Sequence, residues 1–518
     1  MLSANDLFYI QSTFKVSETN AAESAISIRE YMDNCEKYVT AHLPKEYSNG
    51  TWSAERKNQE RDARVRSFVL EHIVRVEGFL TEQGELNAEQ VITYLINTFR
   101  GEGVLRDALD DPNIDEIQIR DKDTIFVFEH GVKHYCTDKQ GNPIRFPDNE
   151  AVERFVIRIC DDGTGNAPNF TVGAPILNAK TARQQYRLNA VHNSLNAREK
   201  GVNAPPITTV TIRKFPEHRI TLNDLVRSKT ITKRLARLLS LLGRVKLNVF
   251  FVGETGSGKT TLLQAVAQSI PRNQAMILIQ NPTEITFFDR DEYGRNKRNV
   301  IHWEAQDNLE GVDNKSKTNG TVGNLLATVL RNTPDVLILG EVRHPDEFAD
   351  LASAGRQSIR LLGTFHADSA KGAIARGADA LGKYNHVPES SMRTSWAEVA
   401  NIIVVQKKWE DDKADFCERK ISEITEVLLD ADTGKITLRP IVTFETAGVK
   451  RDKNGQGHLC GRYVQRNPIS QRLKQGLVDA LVPDEEYVEF LTVADMYEDD
   501  ELPEYDLPAN YTAGDNNG

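Results

Sequence analysis

Cysteine is scarce in this sequence, and what there is stands apart. The five cysteines, Cys35, Cys136, Cys160, Cys417 and Cys460, form no CxxC pair. That excludes a zinc ribbon or a dithiol redox motif and points to a reducing compartment. No window approaches about 18 uninterrupted apolar residues, so no spanning helix is expected. The opening MLSANDLFYIQSTF lacks a basic region followed by an apolar one, so no secretory leader is expected and a cytoplasmic location is. Basic stripes with interleaved aromatics are also missing, and direct binding of nucleic acid is not expected. No internal repeat with a period of about 20 to 50 residues is present.

Basic residues give out before the chain does. From Gln475 onward there is no Lys or Arg, while 13 of the 75 acids fall there; the rest of the chain holds 64 bases against 62 acids. The net charge of −11 is therefore a property of the last segment. That segment, residues 476–518, is expected to be a solvated, disordered acidic tail. What remains is ordinary globular material, 39% hydrophobic and 27% charged over 518 residues, enough for two to four domains with sizeable cores.

The texture changes along the chain. Residues 1–98 read as a helical module, with Val65, Phe68, Val69, His72, Ile73, Val76 and Phe79 recurring at helical spacing. Residues 99–220 alternate between helical patterns and period-2 strands such as Glu116 to Arg120 and Thr124 to Glu129, the mark of an α+β domain. Residues 221–235 read as a linker. From 236 to 475 the order helix, strand, glycine-rich loop, helix, strand predicts a parallel α/β sheet.

The strongest motif is VKLNVFFVGETGSGKTTLLQAVAQSI. An apolar strand, Val249 to Val252, runs into Gly253, Glu254, Thr255, Gly256, Ser257, Gly258, Lys259, Thr260 and Thr261, and a helix begins at the lysine. Glycines allow a nest of backbone N–H groups to face phosphate oxygens without a side chain intervening. Lys259 is placed to reach the β and γ phosphates and Thr260 to hold Mg²⁺, which makes ATP and Mg²⁺ the expected ligands. A phosphate cradle alone hydrolyses nothing. In TPDVLILGEVR the buried strand Val336 to Leu339 delivers Glu341 at its tip, 82 residues after Lys259, with Arg343 just beyond. Such a carboxylate can polarise an attacking water. In LLGTFHADSA a further strand ends at His366, a candidate γ-phosphate sensor. Two other constellations read as structural: His130, His134 and Cys136 in EHGVKHYC, and a β-hairpin turning at Asp432, Thr433 and Gly434.

The order GETGSGKTT, GEVR, GTFHADSA, preceded by DPNIDEIQIR and TVTIRKF, resembles the type II/type IV secretion ATPase superfamily over roughly residues 100–445. Within it the chain looks most like the assembly ATPases of type IVb pili, including thin pili. The resemblance implies a RecA-like P-loop C-terminal domain behind a PAS-like α+β domain. It further implies a homohexamer that works with an inner-membrane platform protein from the cytoplasmic face, associating with the membrane only peripherally. It makes Glu341 the catalytic glutamate and His366 the histidine-box residue, and assigns Arg187, Arg198 and Arg213 to phosphate contacts, a task that suits the planar arginine fork. The divergent residues 1–98 are then the expected partner-docking module.

The sequence also departs from that pattern. The acidic box expected as Glu-Asp-Pro followed by Glu reads Gln280, Asn281, Pro282, Thr283, Glu284, so Glu284 is the surviving acid and the second expected metal-site residue beside Thr260. Gln and Asn can hydrogen-bond metal-bound water but cannot neutralise its charge. His344 follows GEVR where an Asp is expected, and Gln357, Ser358, Ile359 replace a Thr-Gly-His. With Lys259, Thr260 and Glu341 intact, an ATPase motor remains the expectation, with a nucleotide-gated scaffold or an export ATPase as alternatives.

Overall fold

The computed structural model describes residues 25–501 except 49–53, 82, 100–102, 130, 139–140, 161–168, 182–185, 196–206, 216–218, 282, 288, 306–319, 358, 411–415, 452–456 and 499–500. Two compact units emerge: residues 1–128 with 134–214, and 129–133 with 215–518.

The first unit opens with three helices, α1 (Ile28–His42), α2 (Ala54–Glu71) and α3 (Ala88–Phe99). They bury Tyr31, Met32, Val65, Phe68, Val69, Val91, Ile92 and Leu95 against one another. The expected periodicity holds to Val69. The helix ends at Glu71, so Ile73 leaves the apolar stripe and is exposed, while Val76 returns to the core through a bridge to Ile26. A short helix, α4 (Arg106–Asp110), leads into a six-stranded sheet of β1 (Ile114–Ile119), β2 (Ile125–Glu129), β3 (Val132–Tyr135), β4 (Ile176–Lys180), β5 (Tyr186–Val191) and β6 (Thr209–Lys214), in the order β3-β2-β1-β6-β5-β4. Period-2 alternation gives the sheet one apolar face. Ile117, Ile119, Leu188, Ala190, Val210 and Ile212 pack with Val152, Phe155 and Val156 of α5 (Asn149–Cys160), and polar residues take the other face.

The second unit is built on a nine-stranded sheet. Six strands are parallel neighbours in the order β12-β7-β11-β10-β8-β9: β7 (Val249–Gly253), β8 (Met276–Gln280), β9 (Val300–Glu304), β10 (Val336–Leu339), β11 (Arg360–Phe365) and β12 (Ile402–Glu410). Three antiparallel strands extend it past β12: β13 (Cys417–Leu429), β14 (Ile436–Arg451) and β15 (Gly457–Gln465). The apolar runs are continuous because helices cover both faces of the sheet. Val249 and Phe251 face one core together with Leu238, Leu239, Leu262 and Leu263. Phe250 and Val252 face the other, with Phe348, Phe365 and Trp396. The turn between β13 and β14 falls at 430–435, where Asp430 accepts from the N–H groups of Asp432 and Thr433 and Gly434 takes φ +68°.

Two expectations need correction. Residues 221–235, read as a linker, belong to the core: Thr221 caps α6 (Leu222–Arg227), and Leu225, Ile231 and Leu235 are buried, the last on α7 (Lys233–Leu242). The segment from 476, expected to be a disordered acidic tail, is folded as far as Met496. Leu477, Val482, Tyr487, Phe490 and Met496 enter the same core. The acids there are matched by arginines of α7 and just beyond it, with Arg237 bonding Glu489 and Glu498, and Arg244 bonding Glu486. A base-free segment is thus held by bases more than 200 residues away in the chain. Residues 502–518 lie outside the described part.

Candidate functional site

The glycine-rich loop links the tip of β7 to α8 (Lys259–Ala267). Gly253, Gly256 and Gly258 have φ of +156°, +75° and +90°, values that residues with a Cβ rarely adopt. A Cβ on Gly253 would stand 2.0 Å from the Gln406 carbonyl oxygen, so glycine is required there twice over. Lys259 is buried at the start of α8, and its Nζ donates to the Glu254 carbonyl at 2.7 Å.

The neighbouring strand tips converge on this lysine. β11 pairs with β7 so that Phe365 lies opposite Val252, and His366 follows beside the loop. Its Nδ1 is 3.2 Å from the Gly253 carbonyl and 3.5 Å from Lys259 Nζ, and its Nε2 is 3.1 Å from Glu341 Oε1. β10 is the next strand over, and its tip carries Glu341. Arg343 bonds the other Glu341 oxygen at 2.6 Å. Burial pushes the Glu341 carboxyl up, but the Arg343 hydrogen bond and the charges of Arg343, His366 and Lys259 outweigh it and hold the group below the usual glutamate range. It is therefore a carboxylate at neutral pH. The loop carrying it is fixed from behind. Buried Glu347, in the first turn of α9 (Pro345–Gly355), accepts the N–H groups of Arg343 and His344 at 2.6 and 3.0 Å. Thr364 Oγ1 donates to the Gly340 carbonyl at 2.6 Å.

Gln280, which stands where the family pattern has a glutamate, has another occupation. It is buried, its Oε1 accepts from the N–H groups of Glu284 and Ile285 at 3.0 and 2.7 Å, and its Nε2 donates to the Ile285 carbonyl at 2.8 Å. An amide satisfies this donor-and-acceptor demand; an ionised carboxylate cannot donate. Thr283 bonds Glu304 at 2.8 Å, and the Glu284 carboxylate has no hydrogen-bond or ion-pair partner among the described residues.

Of the three arginines, Arg198 and the segment around it lie outside the described residues. Arg187 and Arg213 sit in the first unit, directly opposite each other on β5 and β6, in a row with Lys180 and Glu116 across the polar sheet face. In the EHGVKHYC segment His130 lies outside the described part. His134 Nδ1 is 3.2 Å from the Tyr135 carbonyl, and Cys136 is a core residue whose thiol burial pushes up to about 11. Among the described residues no group of three His, Cys, Asp or Glu could hold a metal ion.

Sequence reasoning missed Glu347, Gln406 and Arg419. Gln406, at the middle of β12 where its pairing with β7 ends, and Arg419, on β13, back the loop: Arg419 Nε donates to the Gly256 carbonyl at 2.9 Å. Neither belongs to a motif, and only the strand order β13-β12-β7 brings them there.

The family model described as Type II/IV secretion system protein matches residues 103–418, more than half of the chain. The chain belongs to this family. Among this secretion-family chain's relatives are an uncharacterized protein of Methanocaldococcus jannaschii, 31% identical over 153 residues, covering 30% of this chain and 52% of that one, and the competence protein ComGA of Bacillus subtilis, 28% identical over 218 residues, covering 42% and 52%. The chain spans about half or less of the length of the first curated relatives it matches. Among solved structures, the VirB11 ATPase of the Brucella suis type IV secretion system is similar at 21% identity with a TM-score of 0.30, over 62% of this chain and 95% of that one.

Proposed function

We propose that this chain binds ATP with Mg²⁺ on the loop from Gly253 to Thr261 and hydrolyses it to drive a secretion or pilus machine. The observation that carries the reading is the meeting of Lys259, His366 and Glu341 beside the tips of three adjacent strands, with His366 3.5 Å from Lys259 Nζ and 3.1 Å from Glu341 Oε1. Lys259 would exchange the Glu254 carbonyl for the β and γ phosphates, and the N–H groups at the start of α8 would take the remaining oxygens. Glu341 would accept a proton from water as the oxygen attacks the γ-phosphorus; the bond to the bridging oxygen breaks, and ADP leaves with its electron pair. His366 is placed to follow the γ-phosphate from its position between Glu341 and Lys259.

The loop fits a polyphosphate, since a Cβ at Gly256 would meet open space rather than protein, leaving that side of the loop clear. For the metal, Thr260 would supply a hydroxyl and Glu284 a carboxylate, and these hard oxygens suit Mg²⁺, which takes most of its ligands from phosphate and water. When bound, Mg²⁺ would neutralise charge on the β and γ oxygens. Gln280 has no part in this, and Glu284 would be the nearest remaining acid of the box.

Membership of the family is the ground for a homohexamer acting on an inner-membrane platform protein from the cytoplasmic face; residues 1–98, which precede the matched region, would be the docking module. Among the described residues no helix is long and apolar enough to cross a membrane. Arg187, Arg198 and Arg213 would contribute charge to the phosphates. Pilus assembly of the type IVb kind is the preferred role and export in conjugation the alternative. A scaffold that binds ATP with little hydrolysis is favoured by one observation, the loss of the acids at 280 and 281. Steady-state phosphate release by the full chain, with Lys259→Ala as control, tests the reading. Release abolished by that substitution supports it, and no release from the wild type leaves the scaffold.

A further inference from the structure

We infer that Arg419 is a positioning residue for the phosphate loop, setting the loop's affinity for nucleotide phosphates from behind; this rests on the ATP reading above. β13 pairs antiparallel with β12 so that Arg419 lies opposite Lys408, one strand removed from β7. From there its side chain crosses to the loop. Nε donates to the Gly256 carbonyl at 2.9 Å, and its Cδ lies 3.3 Å from where a Cβ on Gly258 would stand. Gln406 closes the same wall, with Nε2 3.2 Å from that point.

A trans peptide is planar, so its C=O and N–H point in opposite directions. Holding the Gly256 carbonyl toward β13 therefore turns the Ser257 N–H away from β13. That N–H now reaches the Glu254 carbonyl at a long 3.3 Å, an acceptor that it can give up to a phosphate oxygen. A glycine at φ +75° has no side chain to fix this peptide, so the loop is free to flip unless something outside it intervenes. Arg419 is that restraint. Its bond is charge-assisted, and its permanent positive charge stands behind the phosphate site. The family match ends at residue 418, one position short, so no motif points to it.

The test uses the full chain with ATP and Mg²⁺, comparing wild type, Arg419→Ala and Arg419→Lys, with thermal melting in the absence of nucleotide as the folding control. Arg419→Ala is expected to raise the KM for ATP about tenfold, as loss of one charged hydrogen bond does, with kcat within about twofold. Arg419→Lys keeps the stem and the charge but has no N–H at the Nε position, and is expected to raise KM about threefold. Unchanged KM in either folded variant, or a fall in kcat at constant KM, overturns the assignment. Should Arg419→Ala fail to fold, Arg419→Lys alone decides. A wild-type chain that binds no ATP overturns this inference and the ATP reading together, whereas normal wild-type binding with indifferent variants overturns only this one.

Discussion

Restoring the family's acid at position 280 should damage this protein rather than improve it. In Gln280→Glu the side chain keeps its size, so no cavity forms, and one carboxylate oxygen can still accept from Glu284 and Ile285. The other oxygen then faces the Ile285 carbonyl at the present 2.8 Å with no hydrogen between them. The lost donor leaves a buried acceptor unsatisfied, which costs about 1–3 kcal/mol, and burial of the new charge adds to it. A total of about 2–4 kcal/mol at pH 7 corresponds to a fall of several degrees in Tm. The pH dependence follows in sign. The introduced carboxyl has a raised pKa in the folded state, and its protonated form can donate to Ile285. The penalty is therefore small below about pH 4.3, the unfolded value, and grows as pH rises through the folded value. Thermal melting of the variant and wild type from pH 4 to 8, with phosphate release at pH 7, measures both effects. A variant as stable as wild type at pH 7, or one with faster turnover, would refute the assignment of Gln280 to the loop.

Three other outcomes follow from the geometry. Arg343→Ala removes the main group lowering the Glu341 pKa and leaves burial opposed only by the charges of His366 and Lys259, so the acidic limb of the kcat/KM profile should move to higher pH; an unmoved limb would separate the two residues. His302 accepts the Phe287 N–H at 3.0 Å through Nε2, and burial, with Arg219 nearby, depresses its pKa from 6.5 to about 4. A depressed value means that its stabilising contribution is present above pH 6.5 and lost as pH falls toward 4, and His302→Gln should flatten that part of a stability-versus-pH curve. Phe490 is fully buried with the Arg234 guanidinium 5.2 Å from its ring centre, and Phe490→Ala should cost about 3–5 kcal/mol in a denaturant titration, whereas a solvated tail residue would cost nothing measurable.

The parts of the site written in local pattern were legible. Val249 to Val252, Val336 to Leu339 and Leu361 to Phe365 are apolar runs long enough to be strands and nothing else, and each ends at a chemically distinctive residue. Parallel pairing then placed Lys259, Glu341 and His366 together. What stayed hidden depends on distant partners. Arg419 reaches Gly256 across 163 positions, and only the strand order decides that. Gln280 read only as a group able to hydrogen-bond metal-bound water, because the direction of an amide is set by the loop it faces, which no local rule supplies. The segment from 476 to 498 looked like a tail because its acids dominate its composition. Its five core residues, from Leu477 to Met496, follow no single helical or strand period, and the arginines that answer those acids lie on and just beyond α7.

The central claim is that Glu341 activates water beside a phosphate held by Lys259. Its most direct test is a single-turnover measurement with labelled ATP on Glu341→Gln, which keeps the shape and removes the base. ATP should bind with near wild-type affinity and be recovered intact, with the hydrolysis rate lower by about two orders of magnitude or more. Hydrolysis of the bound ATP at the wild-type rate would contradict it.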